Sequence, residues 1–233
     1  MSVAALVLAA GRGERLGRGT PKAFVPLAGR PLLLHALAAM AAVPAIDSVV
    51  PVIAPADLER WEHLGPQLAA IPKLAGPVFG GAERQDSVRA GLGALAAGVE
   101  WVAVHDAARP FVRPSAVARV LDAARAGGAA ILAVPVSDTI KRVRAGRVVE
   151  TPPRPECWAA QTPQVFRVEL LREAIAKASA EGWVGTDDAQ LVEWLGVPVA
   201  VAEGDPDNWK LTRPEDLAAA EQRLRGTGAR GCG

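Results

Sequence analysis

The chain has 233 residues, half of them apolar, and a formal net charge of +1 at pH 7. This length is sufficient for one domain with a substantial core, and the balanced charge excludes a global field that recruits nucleic acid or membranes. Cys157 and Cys232 lack metal-ligand spacing and exclude a disulfide scaffold, which favours a reducing compartment. The longest uncharged run, residues 31–46, is too short to span a membrane, and strand-like sequence at Val3 leaves no room for a leader peptide. We therefore expect a cytoplasmic protein.

The first apolar run, residues 3–10, leads into a glycine-rich loop at 11–22 that carries three arginines, one lysine and one glutamate. Glycines allow the backbone to approach a ligand closely, and clustered cations repel one another unless a polyanion lies between them. The loop therefore predicts a nucleoside triphosphate site, with a solvated basic loop as the alternative. It is neither a dinucleotide fingerprint, because Leu16 replaces the third glycine, nor a Walker loop, because Lys22 precedes alanine.

Short apolar runs alternate with helical patterns along the chain, which is typical of a mostly parallel sheet covered by helices. The pattern predicts strands at 3–10, 49–53, 101–104, 129–136 and 198–202. It predicts helices at 31–40, 56–63, 115–126, 168–181, 187–195 and 214–225, and one into which residues 80–87 lead, with Val88 and Leu92 on one face. Pro51 makes its strand doubtful as a central one. We expect a single α/β domain over 1–225, built on one doubly wound sheet, and a disordered tail at 226–233.

The pattern changes between residues 137 and 153. Two short alternating segments, 139–143 and 147–151, flank Ala145 and Gly146. This arrangement predicts a β-hairpin that projects from the domain as an arm. Because a two-stranded ribbon is only marginally stable alone, we expect the arm to pack against a second subunit.

Polar residues that directly follow strands are candidates for the site, because ligands of open α/β sheets bind outside the carboxyl ends of the strands. The candidates are the glycine-rich loop, Asp106 with Arg109, residues 138–142 and Lys210. This set is cationic and contains no Ser–His–Asp, Cys–His or metal triad, which disfavours acyl transfer and zinc hydrolysis. It suits a reaction whose nucleophile is a phosphate monoester, since that group is already largely dianionic at pH 7. Such a reaction needs no general base, only cations such as arginine, lysine and Mg²⁺ around the attacked phosphorus.

The chain resembles the 2-C-methyl-D-erythritol 4-phosphate cytidylyltransferase family of non-mevalonate isoprenoid biosynthesis. Seven segments carry the resemblance in family order over nearly the whole chain: 8–22, 80–92 (GGAERQDSVRAGL), 104–110 (VHDAARP), 135–142 (PVSDTIKR), 158–166 (WAAQTPQVF), 186–193 (TDDAQLVE) and 208–217 (NWKLTRPEDL). The resemblance implies a Rossmann-like nucleotidyltransferase fold and a Mg²⁺-dependent reaction between CTP and the polyol phosphate. It also implies a homodimer that interlocks through the arm.

The resemblance further implies how CTP is held. Arg15 and Lys22 bind the triphosphate and stabilise the transition state at the α-phosphorus. Cytosine and ribose are held by a second set, largely through backbone groups: Ala9, Ala10, Gly11, Gly13, Gly80, Gly81, Ala82 and Ser87. Ala82 and Cys157 depart from the family pattern, in which an acidic and an aliphatic residue are usual, and the first departure leaves the base contact to backbone atoms.

The acceptor phosphate is implied to bind a mainly polar set: Asp106, Arg109, Thr139 and Lys210 from its own subunit, with Arg154 and Thr186 from the other. Arg154 and Lys210 are also implied to act in catalysis, and Asp106 to face the metal, directly or through water. For three of these residues, a purely structural role is an alternative interpretation. Asp106 suits a turn cap, Thr186 a helix cap, and Arg154 a solvated loop position.

Three other functions compete with this one. The first is a cytidylyltransferase for another polyol phosphate, such as ribitol 5-phosphate, which the sequence separates only weakly. The second is a non-catalytic nucleotide-binding protein, against which the presence of both Arg15 and Lys22 argues. The third, an NAD-dependent oxidoreductase, is disfavoured by the failed dinucleotide fingerprint.

Overall fold

A computed structural model describes residues 1–11 and 20–228, without the side chains of residues 227 and 228. The strands in this part of the chain are β1 Ser2–Leu8, β2 Pro26–Leu27, β3 Arg30–Pro31, β4 Ser48–Ile53, β5 Val78–Phe79, β6 Val99–Asp106, β7 Ala129–Pro135, β8 Arg142–Arg144, β9 Arg147–Glu150, β10 Trp158–Arg167 and β11 Ala200–Glu203. The helices are α1 Leu32–Ala41, α2 Leu58–Glu62, α3 Gly65–Ala69, α4 Arg84–Gly93, α5 Pro114–Gly127, α6 Val168–Glu181, α7 Asp188–Glu193 and α8 Pro214–Gly228.

Seven strands form the central sheet in the order β11-β7-β10-β6-β1-β4-β5. β1 runs parallel to both of its neighbours, with Leu6 opposite Val50 of β4 and Val104 of β6. β10 is antiparallel to β6 and β7 and separates them. The predicted doubly wound, mostly parallel sheet is therefore confirmed, with β10 as its antiparallel member.

Helices cover both faces of the sheet. This is possible because side chains along an inner strand point alternately to the two faces, and both sets are apolar. Val3, Ala5 and Val7 of β1 belong to the cluster that includes the apolar sides of α1 and α5. Leu6 points to the opposite face and belongs to the cluster that includes α4, α6 and α7. Both faces are fully buried, as expected for parallel strands between two helical layers.

β10 is the longest of the strands that the sequence pattern did not predict, the others being the two-residue strands β2, β3 and β5. Its polar residues Gln161, Thr162 and Gln164 interrupt the apolar pattern, yet each is at most 5% exposed. Pro163 is tolerated inside the sheet because the register against β7 shifts between Gln161 and Gln164, where ladder bonds are interrupted. Tertiary hydrogen bonds compensate the buried polar groups: Gln161 Nε2 donates to the Asp205 carbonyl at 2.8 Å.

The arm is an excursion between the adjacent strands β7 and β10. Trp158 pairs with Pro135 at its base, and β8 pairs with β9 farther out. Ala145 and Gly146 have φ values of 48° and 73°, the left-handed conformation that a tight hairpin turn requires, so the predicted hairpin is confirmed. All residues of β8 and β9 are exposed.

Several element boundaries differ from the prediction. The helix expected at 56–63 is a short 3-10 turn followed by α2, and α8 continues to Gly228, past residue 225. β4 is an inner strand, and Pro51 lies between its bridge to Leu74 and its pairing with the two-residue strand β5. Among the described residues, no helix is long and apolar enough to cross a membrane.

Candidate active site

A cavity of about 750 Å³ opens at the carboxyl ends of β1 and β6. These ends are adjacent because Leu8 pairs with Asp106, and the Ala107 N–H donates to the Leu8 carbonyl at 3.0 Å. The lining includes the start of the glycine-rich loop, the turn before α4, the end of β6 and the segment after β11. The described residues that line it are Leu8, Ala9, Ala10, Gly11, Lys22, Ala23, Gly81, Ala82, Glu83, Arg84, Ser87, Asp106, Ala107, Ala108, Lys210 and Thr212.

The predicted nucleotide-binding segments meet on one side of this cavity. Ala9 and Gly80 continue the ladders beyond their strands, because their N–H groups donate to the carbonyls of Val52 and Ile53 at 2.7 and 2.8 Å. A side chain at Gly80 has no room, since a Cβ atom there lies 2.5 Å from the Cβ of Ala10. Because Gly80 has no side chain, its backbone can lie in direct contact with the end of β1.

The turn between Gly80 and α4 is held by its own side chains. Ser87 Oγ accepts from the Gly81 N–H and donates to the Glu83 carbonyl, both at 3.3 Å. The Glu83 N–H donates to Asp86 Oδ2 at 3.2 Å, which satisfies a group that the helix start leaves unpaired. Gly81 is also confined, because an added Cβ atom meets the Asp86 side chain. These contacts fix the cavity-facing turn before any ligand binds.

Asp106, the last residue of β6, pairs with cations from two other elements. Its Oδ2 lies 2.7 Å from Lys210 Nζ, and its Oδ1 lies 3.6 Å from Arg84 Nε. Burial alone raises the pKa of this carboxyl, but the charges of Arg84 and Lys210 outweigh burial and hold the pKa well below its usual value. Asp106 is therefore a carboxylate at any physiological pH.

The segment that carries Lys210 is fixed by buried hydrogen bonds. Asn208 is fully buried, and its Nδ2 donates to the Thr162 carbonyl at 2.9 Å. Arg109 reaches from the β6–α5 loop, with Nη1 donating to the Asn208 carbonyl at 2.7 Å and Nη2 to the Ala160 carbonyl at 3.2 Å. The structure thus places Arg109 as a clamp on backbone carbonyls behind the cavity, outside its lining.

The side chains of His105 and Thr162 form a pair that fixes the backbone at Asp106. Thr162 Oγ1 accepts from the Asp106 N–H at 3.0 Å and lies 3.1 Å from His105 Nδ1, while His105 Nε2 lies 3.0 Å from the Arg109 carbonyl. Burial lowers the pKa of His105 to about 4, so its ring is neutral at pH 7. The sequence assigned no site role to Thr162, Asn208 or Arg84; all three lie in family-like segments, but only their spatial partners reveal their contacts.

The remaining predicted site residues fall into two groups. Lys22 lines the cavity, whereas Arg15 and Gly13 lie outside the described residues. Thr139 and Arg154 are exposed at the base of the arm, where Arg154 Nη1 donates to the Ser137 carbonyl at 3.3 Å. Neither residue lines the cavity of its own chain.

Thr186 is also exposed and outside the lining of this cavity. Its N–H and hydroxyl both donate to Gln190 Oε1, at 2.8 and 3.3 Å. Asp187, not Thr186, is the N-cap of α7, since its Oδ1 accepts from the Gln190 N–H at 3.0 Å. Thr186 therefore stands one residue ahead of the cap.

The described residues do not form a protein cage for a divalent cation. They contain no group of three or more His, Cys, Asp or Glu side chains that could hold a metal. Asp106 is the carboxylate expected to face one, and both of its oxygens are already next to cations.

A family model described as 2-C-methyl-D-erythritol 4-phosphate cytidylyltransferase matches residues 3–226. The chain belongs to this cytidylyltransferase family. Membership of this family identifies the chain as a nucleotidyltransferase of isoprenoid biosynthesis that joins CTP and 2-C-methyl-D-erythritol 4-phosphate. It favours this function over the three competing functions that the sequence left open.

Curated relatives and solved structures of the cytidylyltransferase family agree with the match. The enzyme of that name from Symbiobacterium thermophilum is 47% identical over 223 residues, which cover 95% of this chain and 92% of the relative. A structure of 4-diphosphocytidyl-2C-methyl-D-erythritol synthase from Anaerococcus prevotii superposes with a TM-score of 0.86 at 30% identity, covering 96% of this chain and 98% of that one. The cytidylyltransferase structure from Thermus thermophilus has a TM-score of 0.77 at 38% identity and covers 97% of this chain and all of its own.

Proposed function

We propose that the cavity at the ends of β1 and β6 is the site of cytidylyl transfer, with CTP on the Gly80–Ala82 side and the acceptor beside Asp106 and Lys210. One observation carries this assignment. Segments far apart in the chain, from the end of β1 to Thr212, converge on a single cavity at the carboxyl ends of parallel strands. Open α/β sheets bind their ligands at this edge.

In the proposed reaction, a phosphate oxygen of the acceptor attacks the α-phosphorus of CTP. A new phosphorus–oxygen bond forms, and the bond from the α-phosphorus to the oxygen shared with the β-phosphate breaks. The electron pair of that bond leaves with pyrophosphate. Because the acceptor phosphate is already largely dianionic at pH 7, no protein base has to remove a proton. The protein acts by positioning two anions and stabilising the charge between them.

Cations of the chain carry that stabilisation in our proposal. Lys22 lines the cavity and binds the triphosphate, together with Arg15 of the glycine-rich loop. Lys210 binds the acceptor phosphate, and Asp106 keeps the ammonium group of Lys210 in place. Asp106 also offers oxygens to the hydroxyl groups of the polyol. Arg109 contributes by clamping the segment that carries Lys210.

Backbone groups select cytosine in this proposal. The N–H groups of Ala9, Gly80 and Gly81 already donate within the protein. The base is therefore read by the carbonyls of these residues and by the backbone groups of Ala10, Gly11 and Ala82. A rigid set of donors and acceptors discriminates between bases, because a wrong base leaves buried polar groups unpaired. Ser87 supports the turn and faces the cavity near the ribose.

We propose that a divalent cation, Mg²⁺ by the resemblance, enters the site bound to the triphosphate of CTP. Mg²⁺ is commonly held by substrate phosphates and one or two carboxylates, with several waters retained. When bound, it neutralises charge on CTP and on the departing pyrophosphate. Asp106, which is paired with Arg84 and Lys210, is the carboxylate that would face this cation, directly or through water.

The arm supports a homodimer of single-domain subunits. Its outer strands expose Val143, Val148 and Val149 at 56%, 59% and 48%, an apolar surface that a two-stranded ribbon cannot bury alone. We propose that the arm of one subunit packs on its partner, and that Arg154 and Thr186 reach the acceptor bound there. Thr139, also at the base of the arm, completes this acceptor set. The near-neutral charge and the cysteine usage fit a cytoplasmic enzyme.

A substrate panel tests the proposed function. The purified protein is incubated with Mg²⁺, one of the four nucleoside triphosphates, and either 2-C-methyl-D-erythritol 4-phosphate or ribitol 5-phosphate, and pyrophosphate is measured. We expect release with CTP and the methylerythritol phosphate, and UTP to be about tenfold to a hundredfold less efficient. Equal efficiency with CTP and UTP contradicts the backbone-reading pocket.

A further inference from the structure

Arg84 occupies the junction between the two halves of the cavity. It is the first residue of α4, directly after the turn assigned to the nucleotide, and it lines the cavity itself. Its guanidinium lies between two carboxylates from other elements: Nη1 is 2.7 Å from Asp188 Oδ2, and Nε is 3.6 Å from Asp106 Oδ1. One planar group thus joins the start of α4, the end of β6 and the start of α7.

The contact with Asp188 anchors the guanidinium. Asp188 is 1% exposed, and the charged group that faces it is the Arg84 guanidinium, with Nη1 2.7 Å from Oδ2. Burial raises the pKa of Asp188, and the positive charge of Arg84 opposes that rise. Removing Arg84 leaves a buried carboxylate without its compensating cation, so Asp188 holds Arg84 at this position.

The contact with Asp106 connects the anchored guanidinium of Arg84 to the acceptor side of the cavity. Asp106 has its two oxygens divided between two cations, Oδ1 facing Arg84 and Oδ2 facing Lys210. A carboxylate held at one oxygen by a fixed guanidinium presents the other oxygen in one direction. The orientation of Asp106, and with it the location of the Lys210 ammonium group, therefore depends on Arg84.

The nucleotide turn does not depend on Arg84 in the same way. Its hydrogen bonds run among Gly81, Glu83, Asp86 and Ser87 and include no atom of the guanidinium. Loss of the Arg84 side chain therefore leaves these contacts in place. The two halves of the site should respond differently to its removal.

We propose that Arg84 is a positioning residue for the acceptor: anchored by Asp188, it orients Asp106 and through it Lys210, while leaving the nucleotide turn to its own hydrogen bonds. This inference rests on the proposed assignment of Asp106 and Lys210 to the acceptor side. It assigns a role in acceptor binding to a residue whose place in the chain, beside the nucleotide turn, points to CTP.

The test separates positioning from simple neutralisation of Asp188. Arg84→Gln is made alone and together with Asp188→Asn, which removes the buried charge that the single variant leaves uncompensated. Arg125→Gln is the matched control, because Arg125 lies on α5 outside the cavity lining and pairs with the exposed Asp122. Thermal unfolding, CTP binding by calorimetry, and kcat and KM for each substrate are measured for every variant.

We expect the double variant to unfold at the temperature of Asp188→Asn alone, and its kcat/KM for the acceptor to be about tenfold to a hundredfold below that of Asp188→Asn, the effect of a displaced positioning group. Its Kd for CTP should stay within about threefold of the unchanged protein, less than one tenfold step in affinity. Arg125→Gln should change none of these values. Arg84→Lys should restore thermal stability and leave acceptor kcat/KM low, since one ammonium group cannot hold two carboxylates in a fixed orientation.

Two results overturn the inference. If the double variant has the acceptor kinetics of Asp188→Asn, Arg84 serves only to neutralise that carboxylate. If its CTP affinity falls as much as its acceptor efficiency, Arg84 acts at the nucleotide. Lys210→Gln distinguishes these failures from failure of the proposed function: unchanged acceptor kinetics in that variant show that the acceptor side itself is wrongly placed.

Discussion

Lys210 Nζ lies 2.7 Å from Asp106 Oδ2 and joins two segments that are distant in the chain. Asp106 ends the central strand β6, whereas Lys210 follows the edge strand β11. The carboxyl is 13% exposed and the lysine 43%, so the pair stands at the boundary between protein and cavity. Because Asp106 already holds the ammonium group of Lys210, that group can bind an anionic substrate without losing further conformational freedom. This lowers the entropic cost of binding.

The first prediction concerns this pair. Asp106→Asn and Lys210→Gln should each lower kcat/KM for 2-C-methyl-D-erythritol 4-phosphate by about a hundredfold, the effect of a misplaced substrate-positioning group. The kcat/KM of the double variant should be only slightly below that of the less active single variant, because each residue acts through the other. Steady-state kinetics with saturating CTP measure all three. Strictly multiplicative losses would show that the two residues act independently.

The second prediction concerns Lys22. If its ammonium group stabilises the transition state, Lys22→Ala should lower kcat by about 10²- to 10⁵-fold, the range for lost cations at a transferring phosphoryl group. Arg15→Ala should behave alike. Lys177→Ala is the matched control, since Lys177 is an exposed lysine of α6 outside the cavity lining. Pyrophosphate release gives the rates, and a Lys22→Ala enzyme as fast as the control refutes the assigned role.

The third prediction uses the close packing at Gly80. A Cβ atom there lies 2.5 Å from Ala10 Cβ and 2.6 Å from Ser87 Oγ, and both partners line the cavity. Gly80→Ala should therefore displace the nucleotide turn and weaken CTP binding by about tenfold, which matches the lower end of overpacking costs. Gly93→Ala, on α4, meets nothing within 4 Å and should leave the CTP affinity unchanged. Calorimetric titration with CTP compares the two, and equal affinities count against the pocket.

The fourth prediction concerns His105 and the pH dependence of stability. Burial lowers the pKa of His105 from 6.5 to about 4, so the unfolded chain binds a proton that the folded protein refuses. Stability from this residue is fully present above pH 6.5 and is lost as the pH falls from 6.5 to about 4. At about 1.4 kcal/mol per unit, the loss amounts to about 3 kcal/mol.

Urea unfolding across this pH range measures the effect. His35, whose pKa burial also lowers, contributes a loss of the same sign, so the comparison must be between proteins that both retain it. His105→Gln should be less stable at pH 7 but should lose less stability on acidification. An equal loss in both proteins would mean that His105 titrates normally in the folded state.

The fifth prediction concerns the composite site. Lys22→Ala and Arg154→Ala proteins, each nearly inactive alone, are mixed under conditions that allow subunit exchange. In a mixed dimer, the chain with intact Lys22 receives intact Arg154 from its neighbour, so one of two sites is whole and activity should return. Mass spectrometry of tagged subunits verifies the exchange. Exchange without recovered activity excludes the shared site and leaves the family assignment intact.

Local patterns in the sequence were enough for most of the fold. The apolar spacing of Val88 and Leu92 predicted one buried face of α4, and both residues are buried there. Ala145 and Gly146 specified a turn because their conformation is set by neighbours in the chain. Such features follow from interactions within a few residues, and the sequence displays them directly.

The tertiary structure alone decided the placement of β10 and the partners of Arg84. The polar residues of β10 look like loop sequence until Asp205 and the start of α7 supply their hydrogen bonds; Gln164 Oε1, for example, accepts from the N–H groups of Asp188 and Ala189, each at 3.1 Å. Arg84 finds its carboxylates on β6 and α7, at positions that no local period relates to α4. Burial and charge pairing depend on which segments the fold brings together, so these contacts become visible only when the chain is folded.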